Sequence, residues 1–401
     1  MTHPDPADFG DPPTSTDRER WTRADRAARP QRLRRIRDRL SAACLDAYFG
    51  VRPEHMRYLT GLAFGDGEEK VAGHSGQFLV GGDEVVVLAD SRYTIQVKRE
   101  APDARVEAVY GNLPERWPAI IGSLGARRIG VESAFLSHAL WDRLVVAAPD
   151  AELVPIEGWV EADRATKEPA EVERIAAACA VADRALAALL PAIRPGRTER
   201  DLALELEWAM RTGGADGLAF DVACLSGPEA ALPHGSPGDR PIASGAVLLF
   251  DFGAQVAGYR SDMTRTLFVG DPAPRDLAVY ELVAAAQAAC IDGLAAAISD
   301  GTPISGAAAD GLARSVIEAA GHGDHFGHGT GHGIGLATHE LPSLGTRTGT
   351  APLPSPTVFS VEPGVYLEGE TGVRIEDLVL FDASGGRLER LTRFPREVLV
   401  V

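Results

Sequence analysis

Four carboxylates, Asp251, Asp262, Glu362 and Glu376, fall in two stretches that read as hairpins, "VLLFDFGAQVAGYRSDMTRTL" and "FSVEPGVYLEGETGVRIEDLVLF". A turn near Val256–Gly258 sets Asp251 across from Asp262, and a turn within Glu368–Gly372 sets Glu362 near Glu376. Like charges opposed on paired strands are destabilising, and carboxylates in apolar strands are costly to desolvate. Acids facing solvent would explain one such hairpin; two in one domain call for a shared counter-charge, which cations supply. Two divalent ions balance four carboxylates, and hydrolytic two-metal sites hold their ions roughly 3.5–4 Å apart. Oxygen ligands with an imidazole suit Mn²⁺, Co²⁺, Zn²⁺ or Fe²⁺.

A source of imidazole lies between the hairpins. "HGTGHGIGLATHE", His328 to Glu340, carries three of the chain's 10 histidines among glycines that make poor helix. On an extended chain His328 and His332 lie about 13 Å apart at ~3.3 Å per residue, too far to share an ion. The odd spacing of His332 and His339 sends them to opposite faces of a regular strand, so spacing leaves open which imidazole joins the carboxylates. A Gly-rich phosphate cradle would need the Lys and Ser/Thr of a P-loop, which are missing. "GHSGQ" at 73–77 nearly matches a nucleophile elbow but lacks its last glycine, which argues against Ser75 as a nucleophile.

The elements that must position these groups are spread over 401 residues, 45% of them hydrophobic, a length that predicts two domains. Residues 1–28 are expected to be a disordered or flexible extension, rich in Pro, Asp and Thr at its start. In the Arg-dense "RERWTRADRAARPQRLRRIRDRL", the apolar Leu33, Ile36 and Leu40 fit an amphipathic helix better than a nucleic-acid arm. Residues 29–160 alternate strands ("LDAYFGV", "GQFLV", "EVVVLAD", "RRIGVE") with helices ("RYTIQVKREA", "SHALWDRLVVAA"), an α/β pattern. From 161 to 401 the order is helix, helix, strands, then the same again, which reads as a duplicated half-domain.

A net charge of −17 argues against nucleic acid and anionic membrane surfaces as partners. Four separated cysteines without a CxxC pair read as reduced thiols. The N-terminus lacks a signal-type apolar core, and no apolar run approaches the ~18 residues of a membrane helix. A cytoplasmic protein is expected.

From about Lys167 to Leu391, "PHGSP", "LLFDFGAQVAGYRSDMTRT", "HGTGHGIGLATHE", "VEPGVY" and "GVRIED" occur in the order that resembles the creatinase/prolidase/methionine aminopeptidase superfamily, the pita-bread metallopeptidases. "MRYLTGL" and "LADSRYTIQV" resemble the companion N-terminal domain of the aminopeptidase P and prolidase branch. The resemblance implies an α+β protein: a C-terminal pita-bread domain preceded by a smaller α/β creatinase-like domain. It implies two divalent ions, Mn²⁺ first among them, held by Asp251, Asp262, His332, Glu362 and Glu376. Asp262 and Glu376 would bridge the ions. Creatinase itself lacks this set, which counts against creatinase activity. The resemblance also places His234 and His339 around the substrate with His328 nearby, and gives Arg374 and Tyr366 the task of orienting ligand carboxylates. Glu362 would in addition move protons. The implied activity is removal of the first residue from peptides with proline second (Xaa-Pro aminopeptidase), by a homodimer. The alternative is an Xaa-Pro dipeptidase, and a more distant one a non-catalytic binding module, though such modules usually lose ligands and this chain has all five.

Overall fold

A computed structural model describes residues 3–64 and 75–401 and divides into two compact units. One is Glu19–Asp163; the other is Arg164–Val401 together with the N-terminal residues up to Arg18. Gly73 and His74 of the near-elbow lie outside the described residues. The Ser75 hydroxyl donates to Asp90 Oδ2 at 3.0 Å and accepts from the Asp90 amide, so both of its bonds go to a residue 15 positions along the chain.

In the Glu19–Asp163 unit the sheet order is Arg105–Ala108, Val85–Ala89, Phe78–Val80, Ala47–Gly50, Arg128–Glu132, Glu152–Ile156. Phe78–Val80 runs antiparallel to both neighbours, and the other pairings are parallel. The four expected strands are the central ones, whose apolar runs are wholly or almost wholly buried. The two outermost strands escape sequence reading because edge positions are half-wet and tolerate charge. Helix Leu113–Ser123 was also not legible, since Pro114 and Pro118 sit in its sequence. It nonetheless packs Trp117 against Phe49, with ring centroids 5.0 Å apart.

The expected flexible extension over 1–28 is corrected: residues 15–42 form one helix. Before it, Asp5 caps a turn at Pro6–Phe9 whose Phe9 ring stacks on Phe394 at 6.1 Å. Arg18 bonds Asp216 at 2.7 Å. Ile36 and Leu40 are buried as expected. Three of the arginines make contacts inside their own unit. Arg32 lies 4.1 Å over the Tyr58 ring, Arg37 donates to the Gly81 carbonyl at 3.1 Å, and Arg39 pairs with Asp163 at 2.6 Å.

In the larger unit the order helix, helix, strands does recur. Helices Pro169–Leu189 and Glu199–Thr212 precede the antiparallel strands Ala223–Ser226, Ala246–Phe252 and Met263–Val269. Helices Pro274–Ser299 and Gly306–Ala319 precede a sheet ordered Glu340–Leu344, Gly331–Gly333, Thr357–Val361, Asp377–Asp382, Arg387–Arg390. Val247, Leu249, Val361, Val365, Val373 and Val379 from the strands meet Val283, Ala286, Cys290, Ala309, Ala313 and Ile317 from the second helix pair in one core. Small residues at the helix–helix contact let the helices approach closely, as where Gly293 leaves room for Leu312.

One expectation about apolar runs is corrected here. Pro169–Ala192 and Pro274–Ser299 are each long and apolar enough by composition to cross a membrane, with mean hydropathy 1.6. Alanine supplies much of that hydropathy, which is why no long run of large apolar residues stands out. Both helices place apolar residues in the interior, Ile175, Val181 and Leu186 from one and Val283, Cys290 and Leu294 from the other.

Candidate metal centre and active site

The two hairpins form where their turns require. Ala257 and Gly258 adopt φ of 46° and 80°, the left-handed pair that closes a tight two-residue hairpin. The register puts Asp251 opposite Thr264, so Asp262 lies two residues from the position facing Asp251 and meets it diagonally instead of head-on. That offset relieves part of the repulsion expected of opposed acids. In the second hairpin Gly364 pairs with Arg374 and Leu367 with Thr371, and Glu362 and Glu376 flank its open end.

Close backbone approach explains the glycines of the histidine run. A Cβ on Gly331 would lie 1.8 Å from the Ser360 carbonyl oxygen, and one on Gly333 2.2 Å from that of Leu341. A register shift between His332 and Gly333 breaks the strict alternation of a strand. The chain then folds back, with His332 on the Gly331–Gly333 strand and His339 just before the antiparallel Glu340–Leu344, so the two rings meet despite their odd spacing, with centroids 4.1 Å apart.

Asp262, His332 and Glu376 each offer a ligand atom within 4.8 Å of the others. His332 Nε2 also lies 3.2 Å from Glu362 Oε1. Its Nδ1 is 3.1 Å from the Gly333 carbonyl, an acceptor only, so Nδ1 carries the hydrogen and Nε2 is the nitrogen turned to the carboxylates. Two buried oxygens, Asp251 Oδ1 and Glu376 Oε1, have no hydrogen-bond partner, which a cation would satisfy. Asp251 and Glu362 line the same cleft. The donor set therefore fits divalent ions.

The electrostatics describe the same need. Burial, then the charges of its acidic neighbours, raises Asp262 well above the usual carboxylate range, and the same causes raise Glu376. Asp251 is raised by burial against the opposing charge of Arg374. Burial also works to raise Glu362, but the hydrogen bond and charge of His332 outweigh it and bring it to about 2. Burial works to lower His332, and Glu362 overrides it, raising the imidazole to about 9. A proton shared by these groups does the work that a cation does in a metal centre.

Around the acids is a ring of hydrogen bonds. Arg374 donates from Nη2 to Asp251 Oδ2 at 2.6 Å, from Nε to Thr264 Oγ1 at 2.8 Å and from Nη1 to the Tyr366 hydroxyl at 2.8 Å. Thr264 Oγ1 in turn donates to Glu376 Oε2 at 2.7 Å. The Tyr366 hydroxyl bonds His328 Nε2 at 2.9 Å, while His328 Nδ1 donates to the Gly329 carbonyl at 2.8 Å. His328 thus has both nitrogens engaged, and burial lowers its pKa. Ser360 donates to Glu362 Oε1 at 2.8 Å. Gln287 donates to the carbonyls of Val361 and Ile375 at 3.1 and 3.2 Å, pinning the residues just before Glu362 and Glu376. Arg265 donates to the Glu376 carbonyl at 2.5 Å.

Thr264, Ser360, Gln287 and Arg265 were not singled out by sequence. Thr264 was findable, lying two residues from Asp262 in the quoted hairpin; Gln287, inside an alanine-rich helix, carried no signal.

Asp251, Asp262, His332, Glu362 and Glu376 line a cavity of about 770 Å³ whose wall also includes Phe220, Pro233, His234, Ser343 and Gly345. His234 and His339 are exposed to it. Burial, then the charge of His332, lowers His339, which keeps it neutral and able to donate one N–H at pH 7. Phe220 is an apolar wall that the sequence analysis did not identify.

Residues 173–383 match metallopeptidase family M24, and residues 32–166 match the creatinase/prolidase N-terminal domain. An Xaa-Pro dipeptidase of Pyrococcus horikoshii is 30% identical over 369 residues, 92% of this chain and 99% of that protein. An Xaa-Pro dipeptidase structure from Bacillus anthracis superposes with TM-score 0.83 at 31% identity, covering 92% of this chain and 99% of that one. An X-Pro aminopeptidase structure from Thermotoga maritima superposes with TM-score 0.76 at 33% identity, covering 89% and 98%.

Proposed function

The chain belongs to metallopeptidase family M24, and we propose that it is an Xaa-Pro aminopeptidase releasing the first residue from peptides with proline second. The observation that carries the choice is the state of Arg374. It is the one cationic Lys or Arg side chain among the described residues lining the cleft, and its donors are taken by Asp251, Thr264 and Tyr366. In a dipeptide the C-terminal carboxylate sits on the proline itself and needs a counter-charge close to the scissile bond. In a longer peptide that position is a neutral amide, which Ser343 and the Gly345 backbone can accommodate. The Pyrococcus and Bacillus relatives named as Xaa-Pro dipeptidases favour the second reading, a dipeptidase. It requires a cation to reach the carboxylate from outside these lining residues.

Asp251, Asp262, His332, Glu362 and Glu376 would hold two divalent ions, and oxygen donors with a single imidazole suit Mn²⁺. When bound, such ions supply Lewis-acid activation of water and of the scissile carbonyl. Glu362 accepts a proton from the attacking water and returns it to the departing imino nitrogen. His339 and His234 donate to the carbonyl oxygen as it gains negative charge. Arg374 and Thr264 hold Asp251 and Glu376 in fixed orientation, so the ligand oxygens need no rearrangement during turnover. The prolyl amide has no N–H and a fixed φ, so a wall such as Phe220 can select the ring by shape.

A matched peptide set tests the reading: Xaa-Pro, Xaa-Pro-Yaa, Xaa-Ala-Yaa and Met-Ala-Yaa. Preference for Xaa-Pro-Yaa is expected. Cleavage of Xaa-Pro alone would make it a dipeptidase, and preference for Met-Ala-Yaa would overturn the proline assignment.

A further inference from the structure

The histidine run ends in Glu340, an acid that neither the metal set nor the substrate contacts use. Its carboxylate is 5% exposed and lies between two cations. Lys167 Nζ donates to Oε1 at 2.6 Å, and Arg164 Nη2 bonds Oε2. Lys167 also donates to the Arg164 carbonyl at 2.6 Å, which locks the two cations together. Oε2 further accepts from the Ala337 amide at 3.4 Å, a long bond back into the carboxylate's own loop. All of this passes beneath Gly335. A Cβ there would lie 2.3 Å from Glu340 Oε1 and 3.3 Å from Lys167 Nζ. The last glycine of "GHGIG" therefore leaves room for the ion pair.

The loop so anchored carries His339. A second anchor acts on the same loop, where Arg260 donates its amide to the Gly335 carbonyl at 2.9 Å and its side chain to Thr338 Oγ1 at 3.3 Å. On the cleft side Thr338 Oγ1 also donates to the Ala219 carbonyl at 3.2 Å, while His339 itself is exposed and touches the ring of His332. Buried Ile334 and Leu336 fix its first half, but no buried apolar side chain fixes the end from Ala337 to Glu340 that bears His339. The charged contact beneath it does, since a buried carboxylate cannot leave two buried cations without desolvation cost.

We propose that Glu340, clamped by Lys167 and Arg164, is a positioning residue that fixes His339 over His332 for contact with the substrate carbonyl. The proposal rests on His339 acting on substrate, as in the proposed function. It adds that this action depends on a charge in the interior that touches neither substrate nor metal ligand.

The test is a double-mutant cycle on the metal-loaded full-length enzyme with an Xaa-Pro-Yaa peptide, reading kcat, KM and bound metal. Misplacing a reacting group by about 1 Å can cost on the order of 10²-fold, so Glu340→Gln should lower kcat roughly ten- to a hundredfold with metal content unchanged. In a His339→Ala background the same substitution should cost less than about twofold, because the residue through which it acts is gone. Lys167→Met leaves one balanced Arg164–Glu340 pair and carries the same cycle if Glu340→Gln does not fold. An equal loss in both backgrounds, or a loss that follows metal release, overturns the positioning role. Wild-type kcat for His339→Ala alone is a different failure: it removes His339 from the reaction and the reading on which the proposal stands.

Discussion

Arg374 Nη2 lies 2.6 Å from Asp251 Oδ2, and this one guanidinium connects both acidic hairpins. Through Nε it reaches Thr264, whose hydroxyl donates to Glu376, and through Nη1 it reaches Tyr366 and then His328. A carboxylate from each hairpin is thereby oriented by one planar cation.

Arg374→Lys keeps the charge but cannot span three acceptors in fixed directions. Loss of an outer partner of this kind typically weakens metal binding 10- to 100-fold. Titration of metal-free protein with Mn²⁺ should show a weakening of that order. Unchanged affinity would mean that Asp251 and Glu376 hold their orientations unaided.

His339→Ala and His234→Ala should retain their metal and lose turnover. Removing one donor to a developing oxyanion costs around 10²–10³ in kcat. Elemental analysis alongside kinetics separates the cases, since release of ions from either variant would mark that histidine as a ligand.

Asp183 gives the stability a pH dependence away from the cleft. Burial raises its carboxyl to about 6, against amide donors from Arg393 and Phe394 at 2.8 and 3.2 Å. Its folded pKa lies above the unfolded value, so the folded state binds the proton more tightly. The associated stability is full below about pH 4 and is lost as pH rises through about 6, in all about 3 kcal/mol for a shift of roughly two units. Urea unfolding of the wild type and Asp183→Asn should differ in slope across that window, with the variant flatter. Parallel pH profiles would show that Asp183 is ionised throughout.

The carboxylates and imidazole that meet in the cleft stand out in the sequence because their signals are local: "EPG", "GVRIED" and "GHGIG" put a carboxylate or imidazole in strand or turn signals that can be read a few residues at a time. The register does not. That Asp251 faces Thr264, or that His332 and His339 meet where the chain folds back, depends on strand pairings that no short window encodes. The supporting groups were invisible for the same reason. Gln287 reaches the strands that carry the acids, and Lys167 reaches Glu340 beneath the histidine loop, from far along the chain, contacts that exist only once helices and strands have packed. In the smaller unit, an edge strand with alternating charge forms by pairing with Val85–Ala89, and the proline-containing helix forms because Leu113, Trp117, Ile120 and Ile121 are buried on one face.

The central claim is that hydrolysis depends on ions held among Asp251, Asp262, His332, Glu362 and Glu376. Chelated protein should be inactive on an Xaa-Pro-Yaa peptide. On adding Mn²⁺, activity should rise with bound metal to about two ions per chain, the number a two-metal hydrolase requires. Full activity in protein shown by elemental analysis to be metal-free would contradict the account.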